Sequence, residues 1–143
     1  MLLKRRITKL FPSNDVNIQQ AIIEEGECIM TREDFISNEI DYDSAMNLFM
    51  GKQEILERFL KKFLNDVSYE QLKAAIDNKD CEAAFKAAHT LKGVAGNLSM
   101  KKLAKTVSDM TEEFRAGNFD AGLVYVDEMD SQYKAMIAFI SQL

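Results

Sequence analysis

The sequence predicts an all-α chain, an antiparallel four-helix bundle with short N-terminal helices across one end. Three observations carry that prediction. The 143 residues include one proline and no tryptophan and are rich in Ala, Leu, Lys and Glu, a composition that favours helix throughout. Apolar residues recur at spacings of three and four over four long stretches, as they do in helices with one buried face. The breaks between those stretches are short, and long helices joined by short turns must alternate in direction. Residues 31–143 read as the bundle domain and residues 1–30 as an N-terminal extension.

Met1 to Phe11 sets Lys4, Arg5, Arg6 and Lys9 among Leu2, Leu3, Ile7, Leu10 and Phe11. A basic amphipathic segment of this kind can touch a membrane surface or an acidic partner, but at this length it reads better as a frayed or locally packed extension. Pro12-Ser13-Asn14-Asp15 punctuates the chain, and Val16 to Met30 is weakly helical. Met30-Thr31-Arg32-Glu33-Asp34 would also make a natural start for the following domain, and Glu25-Gly26-Glu27 can be encoded by purine-rich codons that resemble a ribosome-binding site.

From Thr31 onward the helix signals are regular. Thr31 with Asp34 resembles a capping box for a short helix through Asn38. Asp41 or Asp43 can cap a second, which Gly51 ends. Leu56, Phe59, Leu60, Phe63 and Val67 predict a long amphipathic helix, with Ser68 and Gln71 as a capping box where it kinks or restarts before running to Asp77. Asn78-Lys79-Asp80 is a turn with Asp80 as the next N-cap. After Ser99, Leu103, Val107, Met110 and Phe114 share one face. Gly117-Asn118 separates that helix from the last, which carries Leu123, Val126, Met129, Tyr133, Met136, Ile137 and Ile140.

Composition excludes several function classes. With 47% hydrophobic and 29% charged residues the chain is an ordinary globular protein, and its net charge of −5 argues against a nucleic-acid surface, which needs a concentrated basic face. Cys28 and Cys81 lack metal-ligand spacing and read as free, reduced thiols, which fits a cytoplasmic location. No apolar run is long enough for stable membrane insertion. One histidine and two distant cysteines cannot assemble a conventional metal or haem ligand set. Asp41 and Asp43 are explained by capping. No glycine-rich phosphate loop is present, so ATP is not expected as a direct phosphate donor.

The informative stretch is Ala87-Ala88-His89-Thr90-Leu91-Lys92-Gly93-Val94-Ala95-Gly96-Asn97-Leu98, which holds the sole histidine. At about 100° per residue, Ala84, Ala87, Ala88, Leu91, Val94, Ala95 and Leu98 form one apolar stripe. His89 falls roughly 160° from Leu91 and faces away from it. Gly93 and Gly96 lie one and two turns beyond the histidine on its own side. Phe85 and Lys92 flank that side, and Lys86 borders it opposite them. Two glycines inside a helix cost roughly 2 kcal/mol, and the apolar stripe gives no reason for them. Either a neighbouring element of this chain packs closely there, or a partner must approach His89 and the glycines clear its path.

His89-Thr90-Leu91-Lys92-Gly93-Val94-Ala95 resembles the His-x-Leu-Lys-Gly-x-Ala signature of histidine phosphotransfer (HPt) domains. Ile40 to Met46, Phe49-Met50-Gly51 and Leu56 to Phe63 are similar to that family's lead-in, so the resemblance covers about residues 31–143. Ser99 departs from it where many members carry a glycine, and Thr111 departs where an acidic residue is common. The resemblance implies a phosphorelay intermediate whose His89 accepts a phosphoryl group from a receiver-domain aspartate and passes it to another receiver. Imidazole suits the task because its ordinary pKa of about 6.5 leaves neutral nitrogen abundant near pH 7.

Lys92, three residues on, can offer an ammonium to the phosphoryl oxygens, and Lys86 is the second candidate cation, unless it is simply a solvated helix lysine. Phe85, Gly93 and Gly96 are expected at the docking surface, although Phe85 could instead pack beneath the short helices around Met46 and Phe49. The implied partners are response-regulator receiver domains and a hybrid sensor histidine kinase. The chain is expected to be a monomer with no cofactor of its own, Mg²⁺ belonging to the receiver. A non-phosphorylated adaptor that binds a receiver or kinase is the alternative.

Overall fold

A computed structural model of the chain describes residues 30–143, and Arg32–Leu143 form one unit. The basic N-terminal stretch, the Pro12 turn, the weak helix of residues 16–29 and Cys28 lie outside the described residues. Among the described residues the architecture is all-helical. In chain order the elements are α1 (Arg32–Ser37), α2 (Tyr42–Leu48), α3 (Gln53–Phe63), α4 (Ser68–Asp77), α5 (Cys81–Asn97), α6 (Lys101–Arg115), α7 (Phe119–Leu123) and α8 (Val126–Ile140). No helix among them is long and apolar enough to cross a membrane.

The apolar stripe predicted for α5 is its buried face. Ala84, Ala87, Ala88, Leu91 and Ala95 are buried, and so is Leu98 at the cap. That face packs against α4 and α6. Leu103, Val107, Met110 and Phe114 fill the α6 side. Cys81, at the start of α5, donates its thiol to the Phe114 carbonyl near the end of α6 (3.5 Å), so the two helices run antiparallel. The last helix is stitched to α1, α3 and α4 by aromatic rings. Phe139 meets Phe35 edge-on at 5.6 Å, and Tyr133 meets Phe63 at 5.6 Å and stacks on Tyr69 at 3.7 Å. The Tyr69 hydroxyl (2.6 Å) and Lys73 (2.8 Å) both donate to Asp130. Burial pushes the Asp130 carboxyl up, but the Lys73 and Tyr69 hydrogen bonds outweigh it and hold the group below the usual range.

Five helix ends share one device. Each places a residue at positive φ: Glu39 (67°), Met50 (55°), Lys79 (54°), Ser99 (58°) and Gly117 (80°). The following residue then reaches back to a carbonyl of the last turn: Ile40 to Phe35, Gly51 to Met46, Asp80 to Ala75, Met100 to Ala95 and Asn118 to Glu113. This is the Schellman closure, which normally takes glycine because a side chain costs about 1 kcal/mol there. Ser99, the departure from the family's glycine, thus keeps the turn with a non-glycine residue. The Glu39 and Ser99 closures also meet each other. Ile40 and Met100, both buried, form an antiparallel bridge, and the Asp41 N–H donates to the Ser99 carbonyl (2.9 Å). That joint fixes α1 and α2 to the turn between α5 and α6.

Several details differ from the sequence reading. Asp41, not Asp43, caps α2, accepting from the Ser44 N–H (3.2 Å) and hydroxyl (2.7 Å), while Asp43 pairs with Arg32 (2.8 Å). The chain restarts at Ser68, where the N-cap Val67 has no capping side chain and Asp66 accepts from the Ser68 N–H (2.9 Å) and hydroxyl instead. A carboxylate two residues earlier displaces the predicted Ser68–Gln71 box, and Val67 is left exposed off the apolar face. Leu123 does not share a helix with Val126, because α7 and α8 are separated by a turn at Val124 and Tyr125. Gly122 sits against the Phe114 ring where any Cβ would collide. Thr111 is fully buried and donates to the Val107 carbonyl (2.6 Å), so its departure from an acidic residue alters packing and not surface charge.

Asp41 makes one pH dependence explicit. Lys101 (2.7 Å) and Ser44 hold its carboxyl down at about 2, against an ordinary 3.8. A carboxyl with a depressed folded-state pKa contributes stability that is present above its ordinary pKa and lost as pH falls through the folded value. The stability gap between wild type and Asp41→Asn should therefore be constant above about pH 4 and close towards about pH 2. Thermal melts of both proteins across that range check it, and a gap independent of pH would contradict it.

Candidate functional site

The site is built on α5, whose N-cap Asp80 accepts from the Ala83 N–H at 3.0 Å. His89 lies mid-helix on the face opposite the alanine stripe and is exposed. It has no hydrogen bond or ion pair among the described residues, and its ring partner is Phe85, one turn earlier, with centroids 5.9 Å apart and planes 23° apart. Beyond it in the C-terminal direction the surface is bare. A Cβ placed on Gly93 or on Gly96 would meet no atom within 4 Å. The first explanation of these glycines, close packing by another element of this chain, therefore fails among the described residues, and the open surface remains.

The two lysines differ. Lys92 is half-buried and has no ion pair among the described residues. Lys86 is exposed and bound to Glu82 at 3.2 Å, an i,i+4 pair with both side chains more than 70% exposed. Such a pair contributes only about 0.3–0.5 kcal/mol to stability. Phe85 is half-buried, between His89 on one side and Arg115 of α6 on the other, whose guanidinium carbon lies 5.1 Å from the ring centre. Phe49 instead pairs with Phe59 at 5.4 Å. Those two rings, with Lys62, Val94 and Asn97, line an apolar hollow of about 290 Å³ beside the C-terminal half of α5. A second hollow, lined by Leu48, Gly96 and Lys101 among others, lies where α2 meets the end of α5.

The sequence reading named His89, Lys86, Lys92, Phe85, Gly93 and Gly96, and all six stand on α5: His89, Lys86, Gly93 and Gly96 are exposed, and Lys92 and Phe85 are half-buried. It did not find Glu82 or Arg115. Glu82 could have been found from its i,i+4 spacing to Lys86, whereas Arg115 is brought in by the α5–α6 packing and carries no local signal. Among the described residues no cluster of three or more His, Cys, Asp or Glu could hold a metal ion.

A family model for the Hpt domain matches residues 54–139, a span that runs from α3 to the last turn of α8 and contains every residue of the site. The chain belongs to the Hpt domain family. Searches of curated proteins and of solved structures gave no match. Hpt domains serve phosphotransfer in phosphorelays and interact with receiver domains, and the exposed histidine of this Hpt domain sits on a surface that a second protein could approach over Gly93 and Gly96.

The open space at Gly93 gives a direct expectation. Gly93→Gln should melt at or above the wild-type temperature, because helix propensity improves by several tenths of a kcal/mol and nothing is displaced. Marked destabilisation in a thermal melt would mean that Gly93 packs against part of this chain.

Proposed function

We propose that His89 is the phosphoacceptor of this Hpt domain, taking a phosphoryl group from a receiver aspartate and passing it to the aspartate of another receiver. The observation that carries this reading is the combination of an exposed, unbonded sole histidine with an open glycine surface one and two turns beyond it. In the forward step a neutral ring nitrogen attacks phosphorus, the N–P bond forms, and the aspartyl O–P bond breaks with its electron pair leaving on the carboxylate. The reverse step returns the group to a second carboxylate. Such transfers pass through a loose transition state, and the help they need is positioning and positive charge around the equatorial oxygens.

Lys92 supplies that charge, since it is three residues from His89 and no carboxylate engages it among the described residues. Lys86 is the second cation and has to leave Glu82 to act. Gly93 and Gly96 form the approach for the receiver, with Phe85 at its edge. The domain brings no cofactor of its own, Mg²⁺ being held by the receiver, and ATP is not its donor. It works as a cytoplasmic monomer, with a hybrid sensor kinase among its partners. The same reading makes the fold an antiparallel four-helix bundle: α4 packs on α5, α5 on α6 and α6 on α8, the aromatic contacts of α8 close the ring onto α3 and α4, and α1 and α2 lie across one end.

Incubation with a phosphorylated receiver tests the reading. The wild-type chain should acquire acid-labile phosphate and His89→Gln none, with its helical spectrum intact; label on the variant would put the acceptor elsewhere, and none on the wild type with any of a panel of receivers would leave an adaptor. Gly93→Gln should accept phosphate from phosphoramidate but not from the receiver. Lys92→Ala should slow receiver transfer about tenfold or more, the effect of losing one charge-assisted contact of about 1.5–3 kcal/mol. An unchanged rate would return Lys92 to a solvated-surface role.

A further inference from the structure

His89 is exposed and has no hydrogen-bond partner among the described residues, so the ordering of its ring needs another source. The ring stack with Phe85 is the one directional contact it has there. Side chains on a helix lean towards its N-terminus, so an imidazole at 89 naturally lies back onto residue 85. Phe85 in turn is held from the neighbouring helix. Arg115, the last residue of α6, lays its guanidinium over the Phe85 ring at 5.1 Å, and its Nε is tied to Glu112 at 3.3 Å. The position suits a cation, because it lies at the negative end of the α6 dipole. Glu112, Arg115, Phe85 and His89 thus form one continuous line from α6 to the histidine.

We infer that Phe85 and Arg115 are a two-residue brace that holds the His89 imidazole in the orientation a docked receiver must meet, which makes Arg115 a positioning residue for phosphoryl transfer. The inference rests on His89 as the phosphoacceptor. Transfer from a receiver is more sensitive to ring orientation than reaction with a small donor, because the phosphoryl group arrives on a large body whose placement is fixed by docking. An imidazole that swings among its rotamers presents the reactive nitrogen in line for only part of the time, and small misplacements of reacting groups are costly in rate. Arg115 does not need to touch the phosphoryl group to matter. It acts by keeping the Phe85 ring in place.

That indirect action gives a distinctive test on the full-length chain, using one phosphorylated receiver that transfers to wild type. In single-turnover assays Arg115→Ala should lower the limiting transfer rate about two- to fivefold, the range of an exposed cation–π contact, with the half-saturating receiver concentration unchanged. Arg115→Lys should recover part of the loss. Phe85→Leu should lower the limiting rate at least as much, and adding Arg115→Ala to Phe85→Leu should change nothing further, since the pair acts as one unit. In NMR spectra the His89 ring protons should move towards unstacked imidazole positions in each of these variants except Arg115→Lys, where the move is smaller.

The brace is overturned if Arg115→Ala raises the half-saturating concentration and spares the limiting rate, which would make Arg115 a docking residue. It is also overturned if the Arg115→Ala loss persists in the Phe85→Leu background, or if the His89 ring resonances stay where they are. Failure of the underlying reading looks different: His89→Gln would still be labelled, while the ring resonances of Arg115→Ala would still report on the stack.

Discussion

The close approach of α5 to its two neighbours is the constraint on which the rest of the structure depends. Its buried face is alanine apart from Leu91 and the cap residue Leu98. Alanine ends at Cβ, so α4 and α6 can lie near the short end of the usual interaxial range of about 8–10 Å. The bulk in the core comes from the other side of each contact, from Leu72 on α4 and from Leu103, Val107, Met110 and Phe114 on α6. A helix that buries so little of its own apolar area gains little from burial alone. High alanine propensity offsets part of what Gly93 and Gly96 cost, roughly 1 kcal/mol each, and packing on both flanks supplies the rest. The central helix can therefore carry a bare outer face because its inner face is thin and tightly held.

The same closeness sets what surrounds the histidine. With α5 and α6 antiparallel and nearly in contact, the end of α6 lies beside the first half of α5, and a residue there reaches the Phe85 ring. At the other end, the Ser99 closure and the Ile40–Met100 bridge pin the short helices to the α5–α6 turn. The exposed face of α5 is thus flanked by cation and ring towards its N-terminus, bare over the glycines, and bordered by the α2 end with its exposed Leu48 and Met50. Four of the five left-handed closures use residues other than glycine. The chain accepts that strain where the reward is a fixed joint between helix pairs.

Much of this was legible in the sequence. The α5 stripe, its Asp80 cap, the displayed His89 and the core face of α6 all follow from spacing, because each depends on residues within one helix. Legibility ended where a competing local partner or a distant element decided the outcome. The Asp66 carboxylate takes the Ser68 N–H and hydroxyl, so Ser68 is bound in the first turn and does not cap it. The break between α7 and α8 falls between Leu123 and Val126, whose three-residue spacing reads as continuous helix. The burial of Thr111 is set by how α6 packs in the bundle and not by its local sequence. Arg115 escaped notice for the same reason: it is an unremarkable terminal arginine until α6 is laid against α5.

Charge around His89 adds a last step. The chain carries a net charge of −5, which taken alone would repel an incoming phosphoryl group, yet the local balance is different. The nearest carboxylate on the exposed face of α5 is Glu82, seven residues away, about 10 Å along the axis at 1.5 Å per residue. At that separation in water two unit charges interact by only about 0.4 kcal/mol, further reduced by salt, and Glu82 is already neutralised by Lys86. Lys101, Lys102 and Lys105 are likewise paired, with Asp41, Glu39 and Asp109. Lys92 is left as a cation within one turn of His89 that no carboxylate of the described residues offsets. Lys92 thus gives the exposed face of α5 a local positive bias within an acidic protein. A negatively charged group brought to His89 would gain from that bias at short range, where charge counts most.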